Sequence, residues 1–181
     1  MDNRVFLTEC PRDAMQGIKD WIETSDKISY LNDLLKCGFD TLDFGSFVSP
    51  KAIPQMQDTA KVLEGLDASD TKLLAIIANE RGAEEASRFE RIEFLGYPFS
   101  ISETFQVRNT NATIEESLKR VEAIANICHK EDKQLVLYLS MGFGNPYGDA
   151  WSPDLIATWS ERLTQLFEVS RLSLSDTIGS A

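Results

Sequence analysis

Short apolar runs recur along the chain at residues 5–8, 41–44, 72–77, 91–95, 134–139 and 171–174, each bounded by turn-forming or polar residues. Runs of this length and continuity predict buried strands. Between them the hydrophobic period changes to that of a helix. Ile28, Leu31 and Leu35 share one helical face, with Thr24 or Ser25 as the candidate N-cap and Gly38 placed to end the helix. Met56, Ala60 and Leu63 form a second stripe, and residues 80–89 a third that is less periodic. Thr113 and Glu116 have the spacing of a capping box, in which each side chain satisfies a free backbone N–H of the other. Behind it Ile114, Leu118, Val121, Ala125 and Cys128 line one face, while Glu115–Lys119 and Glu116–Arg120 pair at i,i+4 outside. Ser152-Pro153 opens a last helix as cap and first helical residue, with Ile156, Trp159, Leu163 and Leu166 facing inward.

Strands alternating with helices predict an α/β protein built on right-handed crossovers and a parallel sheet. No internal domain boundary, long linker or low-complexity run interrupts the alternation. Such a sheet closes as a doubly wound open sheet or as part of an eight-fold barrel, and the loops discriminate. The long polar segments (9–23, 45–54, 96–112 and 140–151) follow the strands, whereas the joins from helix back to strand are short. No GxGxxG phosphate loop follows the first strand, as a nucleotide-binding open sheet would require. Polar loops at several strand C-termini are the barrel pattern. The open sheet is the alternative.

Composition narrows the classes further. The 181 residues, 43% hydrophobic and 26% charged, suit one globular domain. Eighteen basic against 29 acidic residues give a net charge of -11, and no basic cluster exceeds two residues, so nucleic acid is not an expected partner. No apolar segment reaches the ~18 residues of a membrane span, and Met1-Asp2-Asn3-Arg4 leads straight into a strand-like run, so neither a membrane nor a secretory route is expected. Cys10, Cys37 and Cys128 are odd in number and widely spaced, which fits a reducing, cytoplasmic compartment. A single histidine, His129, excludes any metal site built on two histidines of this chain.

Chemistry concentrates after the strands. Arg12-Asp13 sets a guanidinium beside a carboxylate at the end of the first strand, where the acid could hold a cation and the base polarise a carbonyl. Adjacent Arg-Asp pairs are elsewhere mostly solvated. Asp43 ends the second strand and reads either as a group facing a polar cavity or as a loop cap ahead of Gly45. The Pro-bracketed apolar loop 46–56 must pack on something.

At this point the chain resembles the hydroxymethylglutaryl-CoA lyases, which belong to a metal-dependent lyase and synthase group built on a TIM barrel. The resemblance is carried by Pro11-Arg12-Asp13 with Gln16, the loop SFVSPKAIPQM (46–56), Asn79, residues 109–117, Ser140 with Asn145-Pro146-Tyr147-Gly148, and the segment SLSDTIG (173–179). It implies a TIM (β/α)8-type barrel of which this chain covers about the first six strands. Residues 1–181 would then be the N-terminal three-quarters of a single catalytic domain. It further implies cleavage of 3-hydroxy-3-methylglutaryl-CoA, or a related 3-hydroxyacyl-CoA, to acetyl-CoA and acetoacetate with a divalent metal, Mg or Mn. By that resemblance Arg12 neutralises the developing enolate oxygen, Asp13 is a metal ligand, and Asp43 and Asp176 line the catalytic site. Arg12, Gln16, Ser46, Asn79, Ser140 and Ser173 would bind the acyl-CoA, and a homodimer is compatible with the family. The chain departs from the family at Cys10 (usually Gly), Ala14-Met15 (Gly-Leu), Asp43 (Glu) and the ends of Asn145-Pro146-Tyr147-Gly148 (Cys-Pro-Tyr-Glu). A full barrel takes roughly 250 residues, and the family's His-x-His, later Asn and catalytic Cys would lie past Ala181. The alternative function is therefore a truncated, inactive barrel fragment that only binds a ligand or partner. In a full-length form, replacing Arg12 by Gln is expected to abolish cleavage while leaving folding and metal binding nearly intact.

Overall fold

The apolar runs become six strands: β1 (Thr8–Glu9), β2 (Thr41–Ser46), β3 (Lys72–Ile76), β4 (Ile92–Ser100), β5 (Gln134–Ser140) and β6 (Val169–Leu174). In the computed structural model, which describes residues 4–181, they form one sheet ordered β1-β2-β3-β4-β5-β6 with every neighbouring pair parallel. The helices are α1 (Pro11–Gln16), α2 (Thr24–Leu35), α3 (Thr59–Glu64), α4 (Glu80–Ser87), α5 (Glu103–Thr110), α6 (Ile114–Lys130) and α7 (Pro153–Leu166), with a 3-10 turn at Pro54–Met56. The sheet curls into a half-barrel. Arg171 of β6 reaches across the concave side to donate to Thr41 Oγ1 of β2 at 2.8 Å, and its guanidinium lies 4.1 Å from the centre of the Phe94 ring.

Period-two alternation assigns the two faces. On β5, Leu135, Leu137 and Leu139 join the core beneath the helices, while Val136 and Tyr138 belong to the inner cluster with Leu74, Ile76 and Phe94. The outer core receives Leu31 and Leu35 from α2, Val62 and Leu63 from α3, Val121 and Ile124 from α6, and Leu163 from α7. Gly45 lets β2 pass under α3. A Cβ there would sit 2.5 Å from Thr59 Cγ2, and Ser46 N donates to Thr59 Oγ1 at 3.1 Å. The β2–β3 register shifts between Asp43 and Gly45, a bulge that turns the end of β2.

The capping box forms as the sequence predicts. Thr113 Oγ1 accepts from Glu116 N at 3.1 Å, and Glu116 Oε2 accepts from Thr113 N at 2.8 Å. Thr113→Ala should therefore cost about 1 kcal/mol in urea unfolding; an unchanged midpoint and slope would show the cap to be idle.

Several expectations are corrected. The apolar run 5–8 pairs only at Thr8, and Val5, Phe6 and Leu7 are exposed. The fourth strand runs on to Ser100, and the segment 96–112, expected to be a loop, holds the end of β4 and all of α5. Likewise α1 lies inside the expected loop 9–23. The N-cap of α2 is Glu23, without a side-chain cap bond, because Thr24 Oγ1 instead donates to Asp58 Oδ2 at 2.7 Å. Among the described residues no helix is long and apolar enough to cross a membrane.

Candidate active site

Helix α1 opens with Pro11 at its first turn, and it has no side-chain N-cap bond. Six residues are too few for a helix to persist unaided, so tertiary contacts hold it. The principal one is electrostatic. Arg12 is 7% exposed and Asp43, on the inner face of β2, is 0% exposed. Arg12 Nε donates to both Asp43 oxygens at 3.1 Å, and Nη2 donates to Asp43 Oδ2. The remaining edge of the guanidinium, Nη1, donates to Asp13 Oδ1 at 3.0 Å and Gln16 Oε1 at 2.9 Å; Gln16 Nε2 returns a bond to Asp13 Oδ1 at 2.8 Å. Buried charges persist when paired and hydrogen-bonded in this way. Burial opposes the charge on Arg12, but the attraction of Asp43 outweighs it and holds the guanidinium above its ordinary pKa. Burial lifts the Asp43 carboxyl against the pull of Arg12.

The cluster floors a cavity of about 740 Å³ at the C-terminal ends of the strands. Of the residues expected from sequence, Arg12, Asp13, Gln16, Asp43, Ser140 and Asp176 all line it. Ser46, Asn79 and Ser173 do not. Ser46 Oγ accepts from Val48 N at 3.2 Å, Asn79 caps α4 by accepting from Gly82 N at 3.0 Å, and Ser173 pairs with Tyr138 in the β5–β6 ladder. Asp176 is exposed, and bonds from the Ser180 and Ala181 N–H groups hold its carboxyl below the usual range.

Sequence reasoning missed Tyr138, Phe105, Asn109 and Thr177 as lining groups. Tyr138 was within reach, because it shares the inward parity of Val136 and Ser140 on β5. Burial, reinforced by Asp43, pushes its hydroxyl above the ordinary value, so it stays protonated at neutral pH. The apolar loop 46–56 packs as expected, sending Val48, Ala52 and Ile53 into the cavity wall.

Cys10 also lines the cavity. Cys10 is exposed as a residue, but partial desolvation of its thiol, with Asp43 adding to the effect, pushes the pKa up to about 11. Alkylation of Cys10 by iodoacetamide should thus be slow at pH 7.5 and rise about tenfold per pH unit through pH 10, because only the thiolate reacts. Rapid, pH-independent labelling of the Cys10 peptide by mass spectrometry would contradict this.

The described residues do not assemble a metal site. Asp13 is 65% exposed on its side chain but has Oδ1 engaged by Arg12 and Gln16, and the Asp43 oxygens are committed to Arg12. No group of three or more His, Cys, Asp or Glu suited to a cation occurs among the described residues, whereas hard divalent ions take about six ligands. Asp13 offers one carboxylate.

A parallel sheet of six strands curled in sequential order, with buried charge and a cavity at the strand C-termini, is the architecture of a TIM-type barrel. No family model matches the chain. A hydroxymethylglutaryl-CoA lyase of Bacillus subtilis is 36% identical over 172 residues, 94% of this chain and 57% of the relative. A 3-hydroxy-3-isohexenylglutaryl-CoA/hydroxymethylglutaryl-CoA lyase of Pseudomonas aeruginosa is 34% identical over 180 residues, 99% of this chain and 60% of the relative. The crystal structure of a P. aeruginosa hydroxymethylglutaryl-CoA lyase superposes with a TM-score of 0.90 at 34% identity, covering 98% of this chain and 59% of that one. An Acinetobacter baumannii HMG-CoA lyase, solved with coenzyme A and 3-methylmalate, gives 0.90 at 29% identity over 97% of this chain and 57% of its own. By sequence and fold the chain belongs to the hydroxymethylglutaryl-CoA lyase family. It spans about three-fifths of the length of these relatives.

Proposed function

We propose that the cavity at the strand C-termini binds a 3-hydroxyacyl-CoA and serves the cleavage of 3-hydroxy-3-methylglutaryl-CoA to acetyl-CoA and acetoacetate. The observation that carries this reading is the Arg12 fork, pinned on one side by Asp43 and presenting its other side at the cavity floor beside Asp13 and Gln16. Breaking the carbon–carbon bond requires loss of a proton from the tertiary hydroxyl, which becomes the ketone of acetoacetate, and leaves an enolate on the thioester that takes up a proton at carbon to give acetyl-CoA. A fixed guanidinium meets that developing charge with directed donors that need no reorganisation. An incoming oxygen takes the place of Asp13 or Gln16 on Nη1. Asp43 acts through Arg12, because its oxygens are already filled and it is a poor candidate for the base. Val48, Ile53, Ile76 and Phe105 form an apolar wall for the carbon skeleton. The protonated hydroxyl of Tyr138 supplies a further donor.

The reading includes a divalent ion, Mg or Mn, with Asp13 as one ligand. It also includes a cytoplasmic location and a homodimer, with neither nucleic acid nor membrane as partner.

The test is acetoacetate release from 3-hydroxy-3-methylglutaryl-CoA by this chain alone and by the chain joined to the part of the B. subtilis relative that it does not cover. Release by the joined form supports the proposal, and release by neither removes it. Acyl-CoA binding without turnover in both forms would favour the binding-only alternative.

A further inference from the structure

Seven residues, Gly17 to Glu23, connect α1 to α2 without regular structure, so their backbone groups need partners from elsewhere. One side chain provides three. Gln55 Nε2 donates to Ile18 O at 3.1 Å and Asp20 O at 2.9 Å, and Gln55 Oε1 accepts from Ile22 N at 3.1 Å. Gln55 is 4% exposed and sits in the 3-10 turn Pro54–Met56. Its own carbonyl accepts from Lys27 Nζ at 2.6 Å. Lys27 is 2% exposed and pairs with Asp58 Oδ1 at 2.8 Å, and its ammonium lies 3.8 Å from the centre of the Trp21 ring. Asp58 in turn takes the Thr24 hydroxyl at the start of α2.

A single buried polar network thus ties the segment leaving α1 to the head of α2 and to the turn that precedes α3. On its other side α1 is held by the Arg12–Asp43 pair. Besides that pair, α1 has no N-cap bond and only six residues, and what else fixes its rotation is the burial of Pro11 and Met15. A small rotation would swing Arg12, Asp13 and Gln16 together, since they lie on adjacent turns of the same helix.

We infer that Gln55, backed by the Lys27–Asp58 pair, is a positioning residue that sets the pose of α1 and through it the aim of the Arg12 fork. The functional side of this inference rests on the reading of Arg12 as the group that meets substrate; the geometric side does not. In a network of this kind every member is satisfied by the others, so removing the member with three bonds frees the whole segment. The apolar loop 46–56 then has two tasks: its Val48 and Ile53 wall the cavity, and its Gln55 holds the helix opposite.

The test reads the Arg12 Nε–H directly, as a side-chain resonance in 15N-labelled protein, by its exchange with solvent. Gln55→Ala should speed that exchange at least tenfold while backbone amides of β3, β4 and β5 keep their protection. Gln55→Glu, which keeps the acceptor for Ile22 but loses both donors, should do the same and serves if the alanine variant does not fold. Arg91→Ala is the control. Arg91 caps carbonyls of Leu63, Leu66 and Asp67 away from the cavity, and its loss should lower stability without changing Arg12. An Arg12 signal untouched in both Gln55 variants, or disturbed equally by Arg91→Ala, would overturn the inference. The same variants are then titrated with 3-hydroxy-3-methylglutaryl-CoA. Weaker binding that tracks the loosened Arg12 supports the functional side. A loosened Arg12 with unchanged acyl-CoA affinity leaves the strut standing and removes the substrate role of Arg12.

Discussion

Arg12→Met is expected to lower the stability of the fold by about 3–5 kcal/mol, because it strands the Asp43 carboxylate at 0% exposure with no cation to face it. This reverses the sequence-level expectation that Arg12→Gln leaves folding nearly intact, which treated the arginine as a group whose loss costs only chemistry. The structure also makes it the buried partner of Asp43. A second change supplies the control: Arg12→Met combined with Asp43→Leu should recover most of the loss, since a buried ion pair and an apolar pair of similar volume differ little in net stability. Urea unfolding of the two single variants and the double variant measures the coupling. Additive losses, or a single-variant loss below about 1 kcal/mol, would mean the pair is solvated in practice. In a form that turns over substrate, removing the fork should also cost roughly 10²–10³ in rate. Arg12→Lys should restore little of this, because an ammonium cannot span Asp43 and the cavity at once.

Lys27→Met carries the second large effect. The aliphatic stem is replaced almost in kind, so the loss isolates the charge: Asp58 is left unpaired, the Gln55 carbonyl loses its donor, and Trp21 loses the cation over its ring. A loss of about 3–5 kcal/mol is expected, which corresponds to a fall in Tm of about 10 °C for a domain of this size. Calorimetry of the variant checks it, and a change within a degree or two would show that water already reaches the ammonium.

These two residues also mark where the sequence was and was not legible. Lys27 stands one turn before Leu31 and two before Leu35 on the buried face of α2, but the apolar stripe read from the sequence, Ile28, Leu31 and Leu35, left it out. A lysine there reads as a solvated charge unless its partner is known, and Asp58 lies 31 residues away. Helix α5 was hidden for a similar reason. Its residues have no apolar stripe, and its one local signal is the Ser102 cap, which accepts from Phe105 N at 3.1 Å; the rest of its N-terminus is secured by Asp149, which accepts from the Thr104 N–H at 3.0 Å and from the hydroxyls of Ser102 and Thr104. Local pattern carries no trace of a cap supplied from the loop after β5. By contrast, α6 announced itself, since its capping box and its buried stripe are both local.

The site divides along the same line. Arg12, Asp13 and Gln16 share one short helix, Ser140 ends β5 and Asp176 follows β6, so the order of elements was enough to bring them to one cavity; Asp43, expected at the end of the second strand, lies inside β2, which runs on to Ser46, and reaches the cavity from its inner face. What the order could not convey was how the charges are spent. That Asp43 is closed off by Arg12 depends on the bulge at the end of β2 and on the pose of α1, both of which are tertiary.

The most direct test of the central claim, that acyl-CoA is bound at the strand C-termini around Arg12, is to map by NMR the resonances that shift when 3-hydroxy-3-methylglutaryl-CoA is added to 15N-labelled protein. Shifts are expected at Arg12, Gln16, Ile53, Tyr138 and Thr177, saturating with ligand and much reduced in Arg12→Lys. Shifts confined to the opposite rim, around Lys72, Arg91 and Lys133, or no saturable shift at the Arg12 face, would contradict it.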